Sequence, residues 1–209
     1  MKLLDRLRGS VETERLLLRK WRQEDFVDFQ RMVMDEELML AAGAGPCPDV
    51  KAVKRRFRRA VQEGYAIIWK DNGQAIGNFQ FARDMGRLNV TSFIIGYWLE
   101  KPYWGQGAMT EVLGAMVRHG FEKKKAEVLA VGHAVGNEGS RRVIEKCGFT
   151  HEGTRRQALR RSDGAVLDEE IYSILREEFL AGHGHREVPV GGRANMKDLL
   201  KVKKMEKWS

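Results

Sequence analysis

The spacing of apolar and polar residues changes several times along the chain, and each change marks an element. Leu16-Leu17-Leu18, between Arg15 and Arg19, reads as a first strand. Gln23-Glu24-Asp25 then opens a helix carrying Phe26, Phe29, Met32 and Val33 at helical spacing. Residues 43–48 are rich in Gly and Pro and read as a loop, after which Asp49 is placed to N-cap a second helix running to about residue 63. Residues 65–70 and 75–83 read as strands joined by Asp71-Asn72-Gly73-Gln74, because Asn and Gly tolerate the positive φ of a hairpin turn. Residues 92–99 form another strand. A turn ending in Gly105-Gln106-Gly107 leads into a helix to about residue 123, and residues 127–135 read as a strand. Residues 140–147 read as a helix stopped by Gly148, a good residue just past a helix end. Residues 149–158 and 168–175 flank Ser162-Asp163-Gly164 and read as a final hairpin.

The order is a strand, two helices, three antiparallel strands, then crossovers through helices. That predicts an α+β fold, an α/β sandwich on one mixed sheet, and hairpins interrupt the alternation a doubly wound nucleotide fold would need. With 209 residues the chain is one domain, or one domain and a tail. Residues 1–12 read as a short amphipathic lead-in and residues 13–181 as the folded domain. Residues 182–209 read as a basic tail that starts as a Gly- and Pro-containing linker, with a short helix from Asn195. No apolar run approaches the ~20 residues that span a bilayer, and the charged opening does not fit a secretory signal. Two cysteines, Cys47 and Cys147, exclude a disulfide scaffold and point to a reducing, cytoplasmic setting. The net charge of +8 suits a polyanionic small molecule such as a nucleotide or coenzyme A. It also leaves a nucleic-acid binder to consider, but no recognition motif accompanies the charge.

Gly96 to Glu111 is the most informative stretch. It runs strand, glycine turn, helix. The glycines leave backbone N–H groups uncovered, and the following helix points its positive end into the turn, which makes a phosphate cup. A helix entry that happens to use two glycines is the plainer reading of the spacing alone. No lysine follows Gly107, which rejects a P-loop, and the third glycine of the dinucleotide fingerprint is absent.

Three segments carry a resemblance. Gly96-Tyr97-Trp98-Leu99 with Trp104-Gly105-Gln106-Gly107 resembles the acetyl-coenzyme A pyrophosphate loop of the GNAT N-acetyltransferase superfamily, in the branch that acetylates N-terminal amines of ribosomal proteins. Thr13-Glu14-Arg15-Leu16-Leu17-Leu18-Arg19 resembles that branch's opening strand, and Asn137 to Phe149 its late helix and turn. The resemblance implies a mainly antiparallel mixed sheet, helices on both faces, and central strands that splay around the pantetheine arm. It implies acetyl-coenzyme A as co-substrate, no metal, no membrane, and an amine acceptor such as a protein N-terminus, in a monomer or homodimer. The implied coenzyme contacts are Tyr97, Trp98, Leu99, Trp104, Gly105, Gln106, Gly107, Ala108, Met109, Thr110, Asn137 and Ser140. The N–H of Tyr97 or Trp98 would face the thioester oxygen. Trp104 stands where the superfamily usually has Gln or Arg, and Met109 stands where it usually has Gly or Ala. Met109 is therefore expected to bring a bulky chain near the phosphates.

Asn137 and Ser140 are also plain N-cap residues. The resemblance assigns Asn137 to the coenzyme arm and Ser140 to a hydrogen bond with the leaving sulfur. The branch can use a glutamate as base beyond the late Gly-Phe turn, but Leu159 stands there. Glu152 is expected to stabilise the turn before Gly153. His133, with an unperturbed pKa of ~6.5, is the candidate base. The run Lys54-Arg55-Arg56-Phe57-Arg58-Arg59 reads as a solvated helix face or as a contact for acidic protein, ribosomal RNA or coenzyme phosphate. His183-Gly184-His185 lacks the companion ligands of a metal site. Two alternatives keep the fold: an acetyltransferase for a small amine such as an antibiotic, polyamine or amino acid, and an acyl-coenzyme A sensor without turnover.

Overall fold

The computed structural model describes residues 9–182, so the expected tail helix and His183-Gly184-His185 lie outside the described residues. Eight strands form one mixed sheet: β1 (Val11–Glu12), β2 (Leu16–Lys20), β3 (Gly64–Trp69), β4 (Ala75–Arg83), β5 (Ser92–Leu99), β6 (Val128–Ala134), β7 (Thr150–Arg160) and β8 (Val166–Leu175). Their spatial order is β1-β2-β3-β4-β5-β6-β8-β7. Every pairing is antiparallel except β5 with β6, which are joined through a helical crossover. The α+β sandwich expected from the sequence is therefore present.

The helices are α1 (Phe26–Met34), α2 (Glu36–Ala41), α3 (Val50–Glu63), α4 (Ala108–Glu122), α5 (Glu138–Lys146) and α6 (Arg176–Leu180). Asp49 caps α3 as expected, its carboxylate accepting from the Ala52 N–H at 2.7 Å. Several elements differ from the sequence reading, which also lacked α6 and a 3₁₀ turn at Lys101–Tyr103. Gln23–Asp25 is a separate single turn of 3₁₀ helix ahead of α1. α2 was not expected. Asp35 ends α1 in extended backbone and accepts from the Leu38 N–H at 2.9 Å, starting a new helix. The cap and the acidic pair Glu36-Glu37 behind it were a readable helix start, masked by the apolar periodicity running on through Met39. The end of the expected lead-in also belongs to the sheet, since Val11 and Glu12 pair with Leu18 and Leu17.

Two apolar clusters cover the two faces of the sheet. On one face α4 and α5 pack through Val112, Leu113, Met116 and Ile144 onto Phe79, Ile95, Leu129 and Val131. On the other, Phe29, Met32, Leu38, Val53 and Phe57 of α1–α3 pack onto Trp21, Ala66 and Ile68. Each fully buried side chain of this size contributes about 1.5–3 kcal/mol. Two polar pairs are drawn into the core. Arg19 meets Asp25 through two hydrogen bonds, at 2.7 and 2.8 Å, and the Trp21 indole N–H donates to Asn78 at 2.9 Å. Cys147 is buried, and burial pushes its thiol up to about 12, so it is core rather than nucleophile. Phe79 has no exposed surface, and Phe79→Ala should lower unfolding free energy by about 3–5 kcal/mol, read by urea denaturation with an unchanged m-value.

Candidate active site

The site begins where two strands part. β5 and β6 pair from Ser92/Val128 to Ile95/Val131 and no further. Beyond that point β5 follows β4 to Leu99, while β6 follows β8 to Ala134. Backbone from Gly96 to Leu99 and from Gly132 to Ala134 therefore has a strand on one side only. A cavity of about 910 Å³ occupies the gap. It opens to both faces of the sheet, because Tyr97 and Val131 pack with the α4–α5 cluster and Trp98 packs with the α1–α3 cluster.

The glycine turn lies at one end of this cavity. Gly105 and Gly107 have φ of +73° and +76°, a conformation that glycine adopts without steric cost. A side-chain carbon added at Gly105 would meet nothing within 4 Å, so the turn is open. No side chain caps α4, and its first N–H groups, on Ala108, Met109 and Thr110, have no carbonyl within the helix to bond. Met109 does not lie across the turn as expected from its bulk. It is 7% exposed and packs into the core cluster. The Trp104 indole N–H donates to the Leu99 carbonyl, tying the turn to the end of β5. Gln106 is the one expected coenzyme contact that does not line the cavity. Its carbonyl accepts from Arg15 at 3.0 Å and its side chain donates to the Pro102 carbonyl.

Arg15 also donates through its guanidinium and its backbone N–H to Glu111, at 2.8 and 3.0 Å. Burial alone would raise the Glu111 carboxyl, but hydrogen bonds from Thr13 and Arg15 outweigh it and hold the pKa below the ordinary value. A buried carboxylate in the first turn of α4 thus fixes the helix start to the opening strand.

The start of α5 lies in the same cavity. Asn137 accepts from the Ser140 N–H at 3.0 Å and donates to the Ala41 carbonyl at 2.9 Å. Its amide is thus both an N-cap and a tie from α5 to α2. The Ser140 hydroxyl is 2.7 Å from the Tyr97 hydroxyl. Burial pushes the Tyr97 phenol up, despite the opposing hydrogen bond with Ser140, so it keeps its proton at neutral pH. The sequence named Ser140 but only the backbone of Tyr97. No local signal links two hydroxyls 43 positions apart.

His133 is 6% exposed and stacks on Tyr172 on the α4–α5 side of the sheet, with ring centroids 5.5 Å apart. Its Nδ1 is 2.9 Å from the Ala134 carbonyl, and its Nε2 is buried without a hydrogen-bond partner among the described residues. The Trp98 indole N–H is likewise buried and unpartnered. Glu152 pairs with Arg87 and Ser173 and does not line the cavity. Leu159 does line it, facing Leu167 across the β7–β8 hairpin. In the basic run, Phe57 is core and Arg56 donates to the Gly45 carbonyl at 3.0 Å, while Lys54, Arg55, Arg58 and Arg59 are exposed. Among the described residues no group of three or more His, Cys, Asp or Glu could hold a metal ion, and no helix is long and apolar enough to cross a membrane.

Glu111→Gln should cost about 1–2 kcal/mol of stability at pH 7, the scale of a charge-assisted hydrogen bond after partial screening. Because the folded pKa is depressed, the carboxylate's contribution is full above the unfolded pKa and is lost as pH falls through the folded one. Urea unfolding of both proteins at pH 7 and pH 3 should show the gap closing in acid.

The comparisons with known proteins agree with this geometry. YdaF of Bacillus subtilis is 38% identical over 85 residues, covering 41% of this chain and 46% of that one. The ribosomal-protein-serine acetyltransferase of Escherichia coli is 34% identical over 117 residues, covering 54% of this chain and 63% of that one. The chain thus spans about half the length of these two relatives. Among solved structures, Mycobacterium smegmatis RimJ in complex with CoA-disulfide superposes with a TM-score of 0.72 at 22% identity, covering 85% of this chain and 92% of that one. Spermidine N-acetyltransferase of Vibrio cholerae, in complex with CoA and spermine, superposes with a TM-score of 0.68 at 15% identity, covering 79% and 98%. At these identities the two structures show a shared fold. Residues 15–150 match the acetyltransferase (GNAT) domain family, and the chain belongs to that family of N-acetyltransferases.

Proposed function

We propose that the chain transfers the acetyl group of acetyl-coenzyme A to a primary amine, with a protein N-terminus of the ribosomal-protein kind as the acceptor. The observation that carries the reading is the parting of β5 and β6 beside an uncapped helix start, both in one cavity. The residues there fit the coenzyme. The free N–H groups of Ala108, Met109 and Thr110 suit a diphosphate, each charge-assisted hydrogen bond being worth about 1.5–3 kcal/mol. The backbone of residues 96–99, unpaired toward β6, offers hydrogen-bonding groups to an amide-containing arm.

Acetyl-coenzyme A supplies the activated acyl thioester. Tyr97 and Ser140 form a hydroxyl pair that can hydrogen-bond the departing sulfur and deliver a proton to it. Tyr97 suits that role because burial keeps it protonated. Asn137 holds Ser140 in place through the cap.

The protein acceptor is supported by the resemblance of the turn and late helix to the ribosomal branch and by the name of the Escherichia coli relative. One observation favours a small amine as the second reading. The β7–β8 turn packs on the loop after α2 so closely that a side-chain carbon added at Gly45 would stand 2.4 Å from the Ser162 Cβ, a closed contact beside the cavity-lining Gly43 and Arg161. Thiol release from acetyl-coenzyme A against a panel of peptides and small amines separates the two.

Titration calorimetry should give coenzyme A binding at about 10 μM or tighter, within the usual range for such substrates. Absence of binding at tens of micromolar overturns the reading. Tyr97→Phe and Ser140→Ala should each lower kcat roughly 10- to 100-fold while coenzyme A affinity stays within about twofold.

A further inference from the structure

Glu169 is the feature of the cavity that the family resemblance does not account for. It sits on β8 opposite Ala134 of β6, and its side chain reaches diagonally over Gly132. A side-chain carbon added at Gly132 would stand 2.4 Å from Glu169 Oε1. The carboxylate therefore lies against bare backbone where β6 leaves β5. Any residue other than glycine at position 132 would push it away.

The face of the sheet matters. Leu129, Val131 and His133 alternate toward α4 and α5, so Gly132 opens on the opposite side, toward α1–α3. Ser140, Tyr97 and the α4 N-terminus belong to the α4–α5 side. Glu169 thus faces the gap from the side that the proposed coenzyme does not occupy. The same cavity is lined by apolar side chains, among them Leu38 and Leu40 of α2, Trp98, Leu159 and Leu167.

The Glu169 side chain is 16% exposed. Arg155 on β7 donates to Oε2 at 2.6 Å from an exposed position, and Oε1 has no hydrogen-bond donor among the described residues. The other charged side chains lining the cavity are Glu138, Arg142 and Lys146 at α5 and Arg161 near the hairpin turn. Arg161 pairs with Asp163, and Glu138 with Arg141. Oε1 is thus open to a second donor, beside the ion pair that Arg155 makes with Oε2.

We infer that Glu169 is the acceptor site's anion: it receives the alkylammonium of the acceptor through Oε1 and takes its proton. The inference rests on the acetyltransferase reading and deepens it by naming the group that meets the amine. The ammonium gives one proton to the carboxylate, which passes it to water. The neutral nitrogen then forms the C–N bond as the C–S bond of the thioester breaks. Nitrogen loses its second proton to solvent, and the departing sulfur takes one from the Tyr97–Ser140 pair, which is refilled from solvent. The products are the N-acetyl amide, the free thiol and one released proton. Leu159, where the ribosomal branch can carry a glutamate, is paired with Leu167, two residues before Glu169 on the same face of β8. Glu169 thus stands across the hairpin from Leu159, in the lining of the same cavity.

The test compares the full-length wild-type chain with Glu169→Gln and Glu169→Asp, using propylamine and an alanine-terminated peptide amide as probes. With coenzyme A present and no acetyl donor, titration calorimetry should show the wild type binding one or both amines. Glu169→Gln should bind them at least tenfold more weakly, with coenzyme A affinity unchanged within about twofold. In turnover, Glu169→Gln should lose roughly 100-fold in kcat/KM at pH 7. Most of that loss should return near pH 9.5, where an α-amine of ordinary pKa ~8 arrives already neutral. Glu169→Asp should retain part of the activity. Gly132→Ala, which displaces the carboxylate without removing it, should share the defect. Equal amine binding and equal kcat/KM in wild type and Glu169→Gln overturn the inference while leaving the acetyltransferase reading intact. A wild type that releases no thiol with any amine overturns that reading, and the binding comparison still decides whether Glu169 holds an ammonium.

Discussion

The structure depends on one interrupted pairing. β5 and β6 are hydrogen-bonded neighbours for four residue pairs and then separate, each held by its other neighbour. A parallel pair buried between two helical layers would ordinarily continue to the end of both strands, because unpaired backbone in the interior is costly. Here the cost falls on residues 96–99 and 132–134, and the compensation is a cavity lined by backbone polar groups. Everything assigned to the site is arranged around that opening.

The two helical layers hold the gap open from opposite sides. On one side α4 is anchored to the opening strand by Arg15 and Glu111, so its bare N-terminus stays aimed at the turn. On the other side Asn137 ties the start of α5 to the last residue of α2. The same residue that caps a helix therefore also fixes the distance between the layers. The plain structural reading of Asn137 and the functional one are not rivals, because a group that positions Ser140 positions the hydroxyl pair as well.

The two faces of the sheet have different chemistry, and that division organises the proposed reaction. The α4–α5 face carries free N–H groups and neutral hydroxyls, suited to an anionic carrier and a departing sulfur. The α1–α3 face carries apolar side chains and one partly satisfied carboxylate, suited to an incoming cation. His133, the base suggested by residue type alone, stacks on Tyr172 on the first face. Glu169 lies in a charged run, Asp168-Glu169-Glu170, at the start of the last expected strand. Asp168 accepts from the Gln157 N–H at a bulge, and Glu170 pairs with His151 and Thr154. Only the middle carboxylate of the three turns into the gap.

Local signals in the sequence were enough for most of the architecture. Strand alternation, the hairpin residues Asn72-Gly73, the Asp49 cap and Gly148 act over a few positions, so they are readable without tertiary context. The glycine turn before α4 was readable for the same reason, since positive φ and exposed N–H groups are properties of a short segment. α2 was hidden because its apolar residues continue the spacing of α1, and only the cap at Asp35 separates them. What the tertiary structure alone decided are the relations across distance: where β5 and β6 part, which face each side chain takes, that Met109 turns into the core, and that Tyr97 meets Ser140. Those depend on strand register and layer packing, which bring together residues far apart in the chain and leave no mark on the sequence around any one of them.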